Sequence, residues 1–329
     1  MTKKSYNLKL SEKKIINKFL KKLSLNTTGT FNFENDAGFL SHKKNNKLVV
    51  TTDTIVENID FFSNDPPESI AQKIICVNLS DMSAMGAKAK SYTLNLSINS
   101  KINYNWIKKF TNTLYKLQKK YKIYLLGGDI SSSKEISLTL TCFGEAKLNN
   151  IISQKDCKVG DDIWITGNLG NSYLGYKILT NSKIKLEKKY KNKFIDSYLY
   201  PKPCLFGSQA FKYINAATDI SDGFYGDLQK ILNNKHGAKI DLDSIPLSNI
   251  LKRVMHQNNK LIKIKDILSW GDDYELIFTS YKKNRNKLIN LANENNVKIS
   301  LIGSIIKKTG TFDNFLEIIK NNDSFDHFS

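Results

Sequence analysis

Strand-like and helix-like segments alternate along this chain, and the alternation restricts it to folds in which helices cover β-sheets. Apolar residues fall on every second position in 92–98 and 136–142, which is the period of a half-buried strand. Pro66 and Pro67 can open a helix, and the apolar spacing over 70–77 continues it. The pattern therefore predicts an α/β (α+β) protein with mixed sheets covered by helices.

A polar stretch near residue 150 divides the chain into two parts with the same alternation. With 329 residues, the chain is long enough to build more than one hydrophobic core. We therefore predict an N-terminal domain over residues 1–148 and a C-terminal α/β domain over residues 149–329. The second domain is expected to contain strands at 162–167 and 275–280 and helices at 171–179, 203–214 and 222–232.

The net charge of +19 is the main feature that would suit a nucleic-acid binder. However, Arg253 and Arg285 are the only arginines, whereas recognition of phosphates and bases relies heavily on the guanidinium fork. The lysines are also spread along the whole chain rather than clustered. We therefore expect no nucleic-acid partner, and a basic RNA-binding protein is the non-enzyme alternative.

Other features of the sequence favour a cytoplasmic protein. No apolar run approaches the roughly 18 residues of a membrane span. The Lys-rich start of the chain lacks the continuous apolar core of a secretion signal. The four cysteines are widely spaced and form no C-x-x-C pair, which suits reduced thiols.

Six aspartates lie where a strand is expected to end or a helix to begin: Asp36, Asp53, Asp81, Asp129, Asp219 and Asp222. Two carboxylates about 4 Å apart repel by roughly 4 kcal/mol at an effective dielectric of about 20, so converging carboxylates need cations. Thr51 and Thr52 add hydroxyl oxygens that can complete the shell of a hard cation. Each aspartate alone would also suit a turn or a helix cap. Together they predict Mg²⁺ and phosphate chemistry.

The local setting of these aspartates differs. An apolar strand is expected to stop at Gly127 and Gly128, which would let a ligand approach the backbone, and Asp129 would follow where the chain leaves the sheet. Asp81 is expected just after an apolar helical stretch. The pair at 161–162 is assigned to a turn ahead of a strand.

Sequence motifs of other chemistries are absent. The chain has no G-x-x-x-x-G-K-[ST] loop, no G-x-G-x-x-G after a strand and no G-x-S-x-G elbow. The stretch 166–172 (TGNLGNS) fits a phosphate contact and a simple strand-to-helix turn equally well. The four histidines have no metal-ligand spacing, so zinc is not expected.

An ordered set of motifs resembles the thiamine-monophosphate kinase family, within the superfamily of aminoimidazole ribonucleotide synthetase. The matching stretches are 35–40, 49–61, 77–88, 125–129, 159–172, 200–207, 218–228, 270–279 and 326–328. The resemblance implies a two-domain aminoimidazole ribonucleotide synthetase-like fold and a homodimer formed through the N-terminal domains. It also implies an N-terminal domain that binds ATP and Mg²⁺ and a C-terminal domain that completes the active-site cleft.

The resemblance also implies roles for individual positions. The implied Mg²⁺ ligands are Asp36, Thr51, Thr52, Asp53, Asp81, Asp129, Asp219 and Asp222. The implied ATP contacts are Gly128, Asp129, Gln154 and Ser221, and the implied substrate contacts are Asp60, Asp272 and Phe325. The chain departs from the usual family residue at Asn35, Asp60, Gln154 and Asp272.

The implied reaction is transfer of a phosphoryl group from ATP to thiamine monophosphate, giving thiamine diphosphate. No catalytic protein base is expected, because a phosphate with a second pKa of about 6 is already largely ionised near neutrality. Several Mg²⁺ ions would neutralise the charge of the two reactants. Another ATP-dependent synthetase of the superfamily is the alternative. A selenophosphate synthetase is disfavoured, because no cysteine lies in the N-terminal glycine-bearing segment.

Overall fold

The protein was analysed as a computed structural model that describes residues 12–33, 37–40, 44–147, 149–180, 184, 186–258 and 261–312. The chain forms two compact units. The first contains Met1–Asn78 and Ala89–Glu145, and the second contains Leu79–Lys88 and Ala146–Ser329. The short segment Leu79–Lys88 therefore belongs to the second unit although it precedes most of the first unit's sheet.

The first unit contains a four-stranded sheet. Its strands are β1 (Asn46–Val56), β2 (Lys88–Ile98), β3 (Tyr124–Ser132) and β4 (Ser137–Lys147), in the order β1-β4-β2-β3. β2 and β3 run parallel. Side-chain hydrogen bonds join Thr52 to Thr141 and Thr54 to Thr139, a descending register that makes β1 and β4 antiparallel. The predicted mixed sheet is confirmed.

Helices and short turns cover one face of this sheet. The α-helices that begin in this part of the chain are α1 (Glu12–Ile15), α2 (Pro67–Ala84) and α3 (Tyr104–Tyr121). A π-helical turn (Ile16–Leu20) and two 3₁₀ segments (Lys21–Ser24 and Thr28–Phe33) follow α1. α3 begins where the Asn103 side chain accepts the backbone N–H of Trp106, a standard N-cap. Leu23 is fully buried, and its carbonyl accepts a hydrogen bond from Gln118.

Two sequence predictions about these elements are wrong. β3 does not stop at Gly127 and Gly128 but continues to Ser132, because both glycines and Asp129 pair with β2. Asp81 does not follow the apolar helix but lies inside its last turn, since α2 continues to Ala84. In both cases tertiary packing extends an element past the residues that would be expected to end it.

The second unit contains a six-stranded mixed sheet. Its strands are β5 (Asp162–Thr166), β6 (Ala216–Asp219), β7 (Gly237–Ile240), β8 (Leu276–Ser280), β9 (Ile299–Ile306) and β10 (Gly310–Phe312), in the order β10-β7-β9-β5-β8-β6. Only the β10–β7 pair is parallel among the pairings of this sheet. All five residues of β5 are buried, as expected for a central strand.

Helices pack on both sides of the second sheet through two separate apolar clusters. The α-helices are α4 (Asn171–Thr180), α5 (Lys188–Leu199), α6 (Gly207–Ala210), α7 (Phe224–Leu232), α8 (Asn249–Gln257), α9 (Ile264–Ser269) and α10 (Arg285–Glu294). Short 3₁₀ turns lie at Phe211–Tyr213, Leu242–Ser244 and Lys282–Asn284. The helix predicted over 203–214 is reduced to α6 and one 3₁₀ turn.

Two further features bear on the setting of the protein. Within the described residues, every helix is too short or too polar to cross a lipid bilayer. All four cysteines are free thiols, and three of them are buried. Cys204 is the partly exposed one.

Candidate functional site

Asp219 and Asp81 form a carboxylate pair in the second unit. Asp219 is the last residue of β6 and only 5% exposed, and Asp81 comes from the last turn of α2. Burial, followed by the charge of Asp81, raises the pKa of Asp219 well above its usual range, and the nearby Ser80 hydroxyl partly offsets this. A bound cation would stabilise the ionised form of such a buried carboxylate and offset its repulsion by the second one.

The chain after β6 carries Ser221 and Asp222 into a loop that is fixed by Asp227 of α7. One carboxylate oxygen of Asp227, Oδ2, accepts the backbone N–H groups of both Ser221 and Asp222 at 3.0 Å. Asp227 is completely buried, and burial raises its pKa to about 6 even though Lys230 opposes the shift. The two N–H groups and the start of α7 therefore set the conformation of the loop before any ligand binds.

Lys230 completes this arrangement. Its Nζ lies 2.6 Å from Asp222 Oδ2 and 2.7 Å from Asp227 Oδ1. Burial would lower the pKa of Lys230, but the neighbouring charges of Asp227 and Asp222 raise it above its usual value. The ammonium group is thus a fixed positive charge between two carboxylates, one of which is a predicted metal ligand.

Gln154 lies beside the same strand. Its Nε2 donates a hydrogen bond to Thr218 Oγ1 at 2.9 Å, and Thr218 directly precedes Asp219. The preceding residue, Ser153, forms a β-bridge with Ala216. The predicted ATP-contacting residue is therefore held next to the predicted metal ligand at the end of β6, although Gln154 is uncharged.

In the first unit, the predicted ligands of β1 lie on two faces of the sheet. Successive side chains of a strand point to opposite faces. The Thr52 hydroxyl lies 3.0 Å from that of Thr141 on the face that also carries the Thr54–Thr139 contact. Thr51 and Asp53 consequently point to the other face. Their side chains are half-buried, whereas that of Thr52 is exposed.

Asp129 and Gly128 lie on β3, at the other edge of the same sheet. Two strands separate β1 from β3, which places Asp53 and Asp129 three strand spacings apart, about 14 Å along the sheet. Gly128 lies close to the neighbouring strand, since a Cβ there would lie 1.9 Å from the carbonyl oxygen of Leu94. Nothing lies within 4 Å of the corresponding position on Gly127.

The described side chains bring some predicted ligands together and keep others apart. The charge of Asp81 acts on the buried Asp219, whereas Asp53 and Asp129 lie about 14 Å apart along their sheet. Nowhere in the described ranges do three His, Cys, Asp or Glu side chains cluster closely enough to hold a metal. The donors of both units are carboxylate and hydroxyl oxygens, a set that suits Mg²⁺. Two further predicted residues, Asp36 and Phe325, lie outside the described residues.

The predicted substrate residue Asp60 serves a local structural role. Its Oδ2 accepts the backbone N–H of Val56 at 2.7 Å, and its carbonyl oxygen accepts the Lys73 ammonium at 2.6 Å. The carboxylate thereby closes the turn that follows β1. This turn is the place where the usual family residue has been replaced.

Asp272 borders a cleft of about 750 Å³ in the second unit. Its backbone has a positive φ of 62°, and its Oδ1 accepts the hydroxyl proton of Tyr274 at 2.7 Å. Carboxylates from the same segment line the cleft, and so do lysines of neighbouring segments: Asp272, Asp273, Glu275, Lys189, Lys193 and Lys202. The cleft therefore offers groups of both charges to a bound molecule.

Asp273 and Glu275 attach this segment to the turn that follows β5. The two carboxylate oxygens of Asp273 accept the Gly170 N–H at 3.1 and 2.9 Å, and Glu275 accepts the hydroxyl of Thr166 at 2.6 Å. Burial raises the pKa of both acids, that of Glu275 to about 7. A side chain at Gly167 is excluded, because its Cβ would lie 1.8 Å from Glu275. The stretch 166–172 is thus a turn shaped by buried acids.

Four residues with important contacts at these sites had no predicted role: Asp227, Lys230, Asp273 and Glu275. The sequence shows that these residues are charged, but it does not show what they contact. The available signal was spacing, because Asp227 lies in the first turn of a helix and Lys230 follows it by three positions, a separation that places two side chains on one helix face.

Comparison with known proteins agrees with the sequence motifs. Residues 34–146 match the family described as AIR synthase related protein, N-terminal domain, and residues 158–313 match its C-terminal domain. A thiamine-monophosphate kinase of Buchnera aphidicola subsp. Schizaphis graminum is 38% identical over 302 residues, covering 89% of this chain and 91% of the relative.

Solved structures give the same result. The crystal structure of thiamine-monophosphate kinase from Stenotrophomonas maltophilia has a TM-score of 0.79 at 29% identity and covers 89% of this chain and 94% of its own. A structure of AaThiL complexed with AMPPCP and TMP has a TM-score of 0.78 at 26% identity, with 97% of each chain covered. From the extent of these matches, we conclude that this chain belongs to the thiamine-monophosphate kinase family.

Proposed function

We propose that this protein transfers the terminal phosphoryl group of ATP to thiamine monophosphate, producing thiamine diphosphate and ADP. Membership of the family supports the reaction, as does the AaThiL complex with AMPPCP, an analogue of ATP, and TMP. The observation in this chain that carries the proposal is the buried pair of Asp219 and Asp81, which requires a cation to be ionised fully. Such a pair suits an enzyme that binds Mg²⁺ together with phosphates.

The metal ligands proposed for the second unit are Asp81, Asp219 and Asp222, and those for the first unit are Asp36, Thr51, Thr52, Asp53 and Asp129. The ligand atoms are all oxygens, the type that Mg²⁺ prefers. Bound Mg²⁺ would neutralise the phosphates of two negatively charged reactants. Thr52 is the weakest member of this set, because its hydroxyl contacts Thr141 on the other face of the sheet.

The protein's own contribution to the chemistry is binding and orientation. The attacking group is a phosphate oxygen of the substrate, which needs no protein base because its second pKa is about 6. Gly128, Asp129, Gln154 and Ser221 are proposed to contact ATP. The Ser221 N–H donates to Asp227, so the backbone at Ser221 is already fixed. Less conformational entropy is therefore lost when ATP binds.

The cleft that Asp272 borders is the proposed site for the thiamine part of the substrate. The thiazolium ring carries a fixed positive charge, which the Asp272 carboxylate would attract. Phe325 is proposed to contact the same part of the substrate. A direct role for Asp60 is harder to reconcile with its use as a turn-closing acceptor for Val56.

We propose that the functional form is a cytoplasmic homodimer built through the N-terminal domain. The sheet face that carries the Thr52–Thr141 contact also exposes Leu48 and Val50, each 51% exposed, on edge strand β1. A second copy that covered this face would bury these apolar side chains.

The kinase assay tests the proposal directly. Purified protein is incubated with ATP, thiamine monophosphate and Mg²⁺, and both ADP and thiamine diphosphate are measured. We expect equal amounts of the two products, loss of turnover in EDTA, and at least a thousandfold loss in Asp129→Asn with an unchanged circular dichroism spectrum. Absence of thiamine diphosphate under these conditions would reject the assignment.

One alternative within the superfamily remains specific enough to test. Asp60 and Asp272 replace the usual substrate-side residues, and both carboxylates accept hydrogen bonds from the protein itself. The test is to compare thiamine monophosphate with a panel of other phosphorylated metabolites in the same ADP-release assay. A larger kcat/KM for another metabolite would identify an ATP-dependent synthetase acting on that compound.

A further inference from the structure

Lys230 contacts two carboxylates at the proposed metal-binding loop, and the proposed reaction gives this lysine no role. Its ammonium bridges Asp222 and Asp227 at 2.6 and 2.7 Å. Asp227 in turn accepts the backbone N–H of Asp222. These contacts form a closed ring in which Asp222 is held through both its backbone and its carboxylate.

The two carboxylates that Lys230 contacts differ in accessibility. The Asp227 side chain is fully buried, and that of Asp222 is 41% exposed. Lys230 itself is 38% exposed, so ions from solvent can reach the Asp222 end of the bridge. An ammonium group and a hydrated divalent ion would therefore compete for Asp222, whereas the buried Asp227 is closed to an ion from solvent.

We propose that Lys230 is a tethered counter-ion for Asp222: it supplies the positive charge of the loop in the metal-free protein and weakens the binding of Mg²⁺ there. This inference rests on the proposed role of Asp222 as a metal ligand. A positive charge that contacts Asp222 repels a divalent cation at the same carboxylate, and solvent moderates the repulsion because the side chains of Lys230 and Asp222 are 38% and 41% exposed.

The bridge gives the loop two properties. Without metal, Lys230 prevents Asp222 and Asp227 from repelling each other, and the loop keeps its conformation. With metal, part of the binding energy is used to displace or share the ammonium group, so Mg²⁺ binds less tightly than the carboxylates alone would allow. Lys230 is thus a positioning residue that sets the metal affinity, rather than a group that acts on the substrates.

The first test measures Mg²⁺ binding by isothermal titration calorimetry, without ATP or thiamine monophosphate. Lys230→Met should bind Mg²⁺ about tenfold more tightly than the unaltered protein, because a repelling charge is removed. Lys230→Arg, which keeps the charge, should remain within about twofold. Lys235→Met is the matched control, since Lys235 is an exposed lysine just after the same helix, and it should leave the affinity unchanged.

A double-mutant cycle locates the effect. If Lys230 acts through Asp222, the gain in affinity should disappear when Lys230→Met is combined with Asp222→Asn. Thermal unfolding in EDTA provides a second measurement: Lys230→Met should lower the melting temperature by several degrees, and Mg²⁺ should recover more of it than in the unaltered protein.

These measurements separate the inference from the kinase assignment. Unchanged or weaker Mg²⁺ binding in Lys230→Met, or a gain that persists in the Asp222→Asn background, would overturn the counter-ion role even in an active kinase. Should Lys230→Met fail to fold, Lys230→Gln repeats the charge removal with a polar side chain. The kinase assay on the unaltered protein tests the reaction independently.

Discussion

At the scale of single residues, the second unit buries an unusual amount of negative charge. Asp219 and Asp227 are buried, Asp273 and Glu275 are partly buried, and desolvation raises the pKa of each one. Asp227 is compensated by Lys230, while Asp273 and Glu275 depend mainly on hydrogen bonds from the turn after β5. Stability in this unit should therefore depend on pH through identifiable groups.

Glu275 gives the clearest prediction of this kind. Its pKa rises from 4.5 to about 7 in the folded protein, so the folded state retains a proton that the unfolded state releases. The contribution of Glu275 to the free energy of unfolding is then greatest below about pH 4.5. It declines by about 3 kcal/mol as the pH rises toward 7, at 1.36 kcal/mol per pKa unit. Glu275→Gln should flatten the pH dependence of unfolding by urea in EDTA over this range.

The matched control for this prediction is the exposed Glu294 on α10. Glu294→Gln should leave the pH dependence of the free energy of unfolding as it is in the unaltered protein. An equal slope in Glu275→Gln and the unaltered protein would contradict the role given to Glu275.

At the scale of secondary-structure elements, the periodic segments were predicted well and the ends of elements less well. The strand at 92–98 lies within β2, and all of 136–142 except Ile136 lies within β4, because alternation reports directly which side chains face the core. The end of β3 was misjudged, since Gly127 and Gly128 look like breakers until the pairing with β2 is known. Pairing with a distant strand cannot be read from local sequence.

The two glycines of β3 should respond differently to substitution. A Cβ on Gly128 would lie 1.9 Å from the Leu94 carbonyl oxygen, whereas one on Gly127 would meet nothing within 4 Å. Gly128→Ala should therefore destabilise the protein by about 1 to 3 kcal/mol through separation of β2 and β3. Gly127→Ala, the matched control, should stay within about 0.5 kcal/mol in the same denaturation experiment. Equal effects would argue against the close approach at Gly128.

Asp162 stands in the sequence both in a predicted turn and at the start of the strand predicted at 162–167. The structure makes it the first residue of that strand, β5, and buries it fully. The Arg285 guanidinium of α10 contacts both of its oxygens, at 2.6 and 2.7 Å, which joins the helix to the central strand. A buried acid at the start of a strand has the same sequence appearance as an exposed one in a turn.

The Asp162–Arg285 pair leads to a stability prediction. Arg285→Met leaves a buried carboxylate without its cation and should cost about 2 to 3 kcal/mol, less than a fully buried pair because the arginine side chain is 45% exposed. Arg253, the only other arginine, is exposed on α8, so Arg253→Met should have an effect of no more than about 0.5 kcal/mol. Chemical denaturation of both variants at neutral pH provides the measurement, and a cost of the same size in both would argue against the pair.

At the scale of the whole molecule, two predicted metal ligands of the first unit lie too far apart on their sheet to bind one ion together. β1 and β3 are the two edges of the sheet, so Asp53 and Asp129 stay about 14 Å apart along it. The exposed face near β1 presents Leu48 and Val50. The exposed apolar side chains are accounted for if the protein acts as a dimer through this face.

A charge placed on that face should therefore change the oligomeric state. Val50→Lys is expected to convert the dimer to a monomer in sedimentation velocity, because burying an unpaired ammonium in an interface is costly. Ile289→Lys, which changes an exposed apolar residue of α10, should leave the dimer intact. A protein that sediments as a monomer before any substitution would contradict the proposed dimer.

The sequence by itself determined the fold class, the family and most positions of the oxygen-rich motifs, because these depend on periodicity and on short runs of residues. Only the tertiary structure decided how the charges are used: Asp219 meets Asp81, Lys230 binds Asp222, Asp60 closes its own turn, and Asp53 lies far from Asp129. These outcomes depend on strand order and burial. A carboxylate's partners and its dielectric surroundings come from segments that are distant in sequence, so no local pattern can specify them.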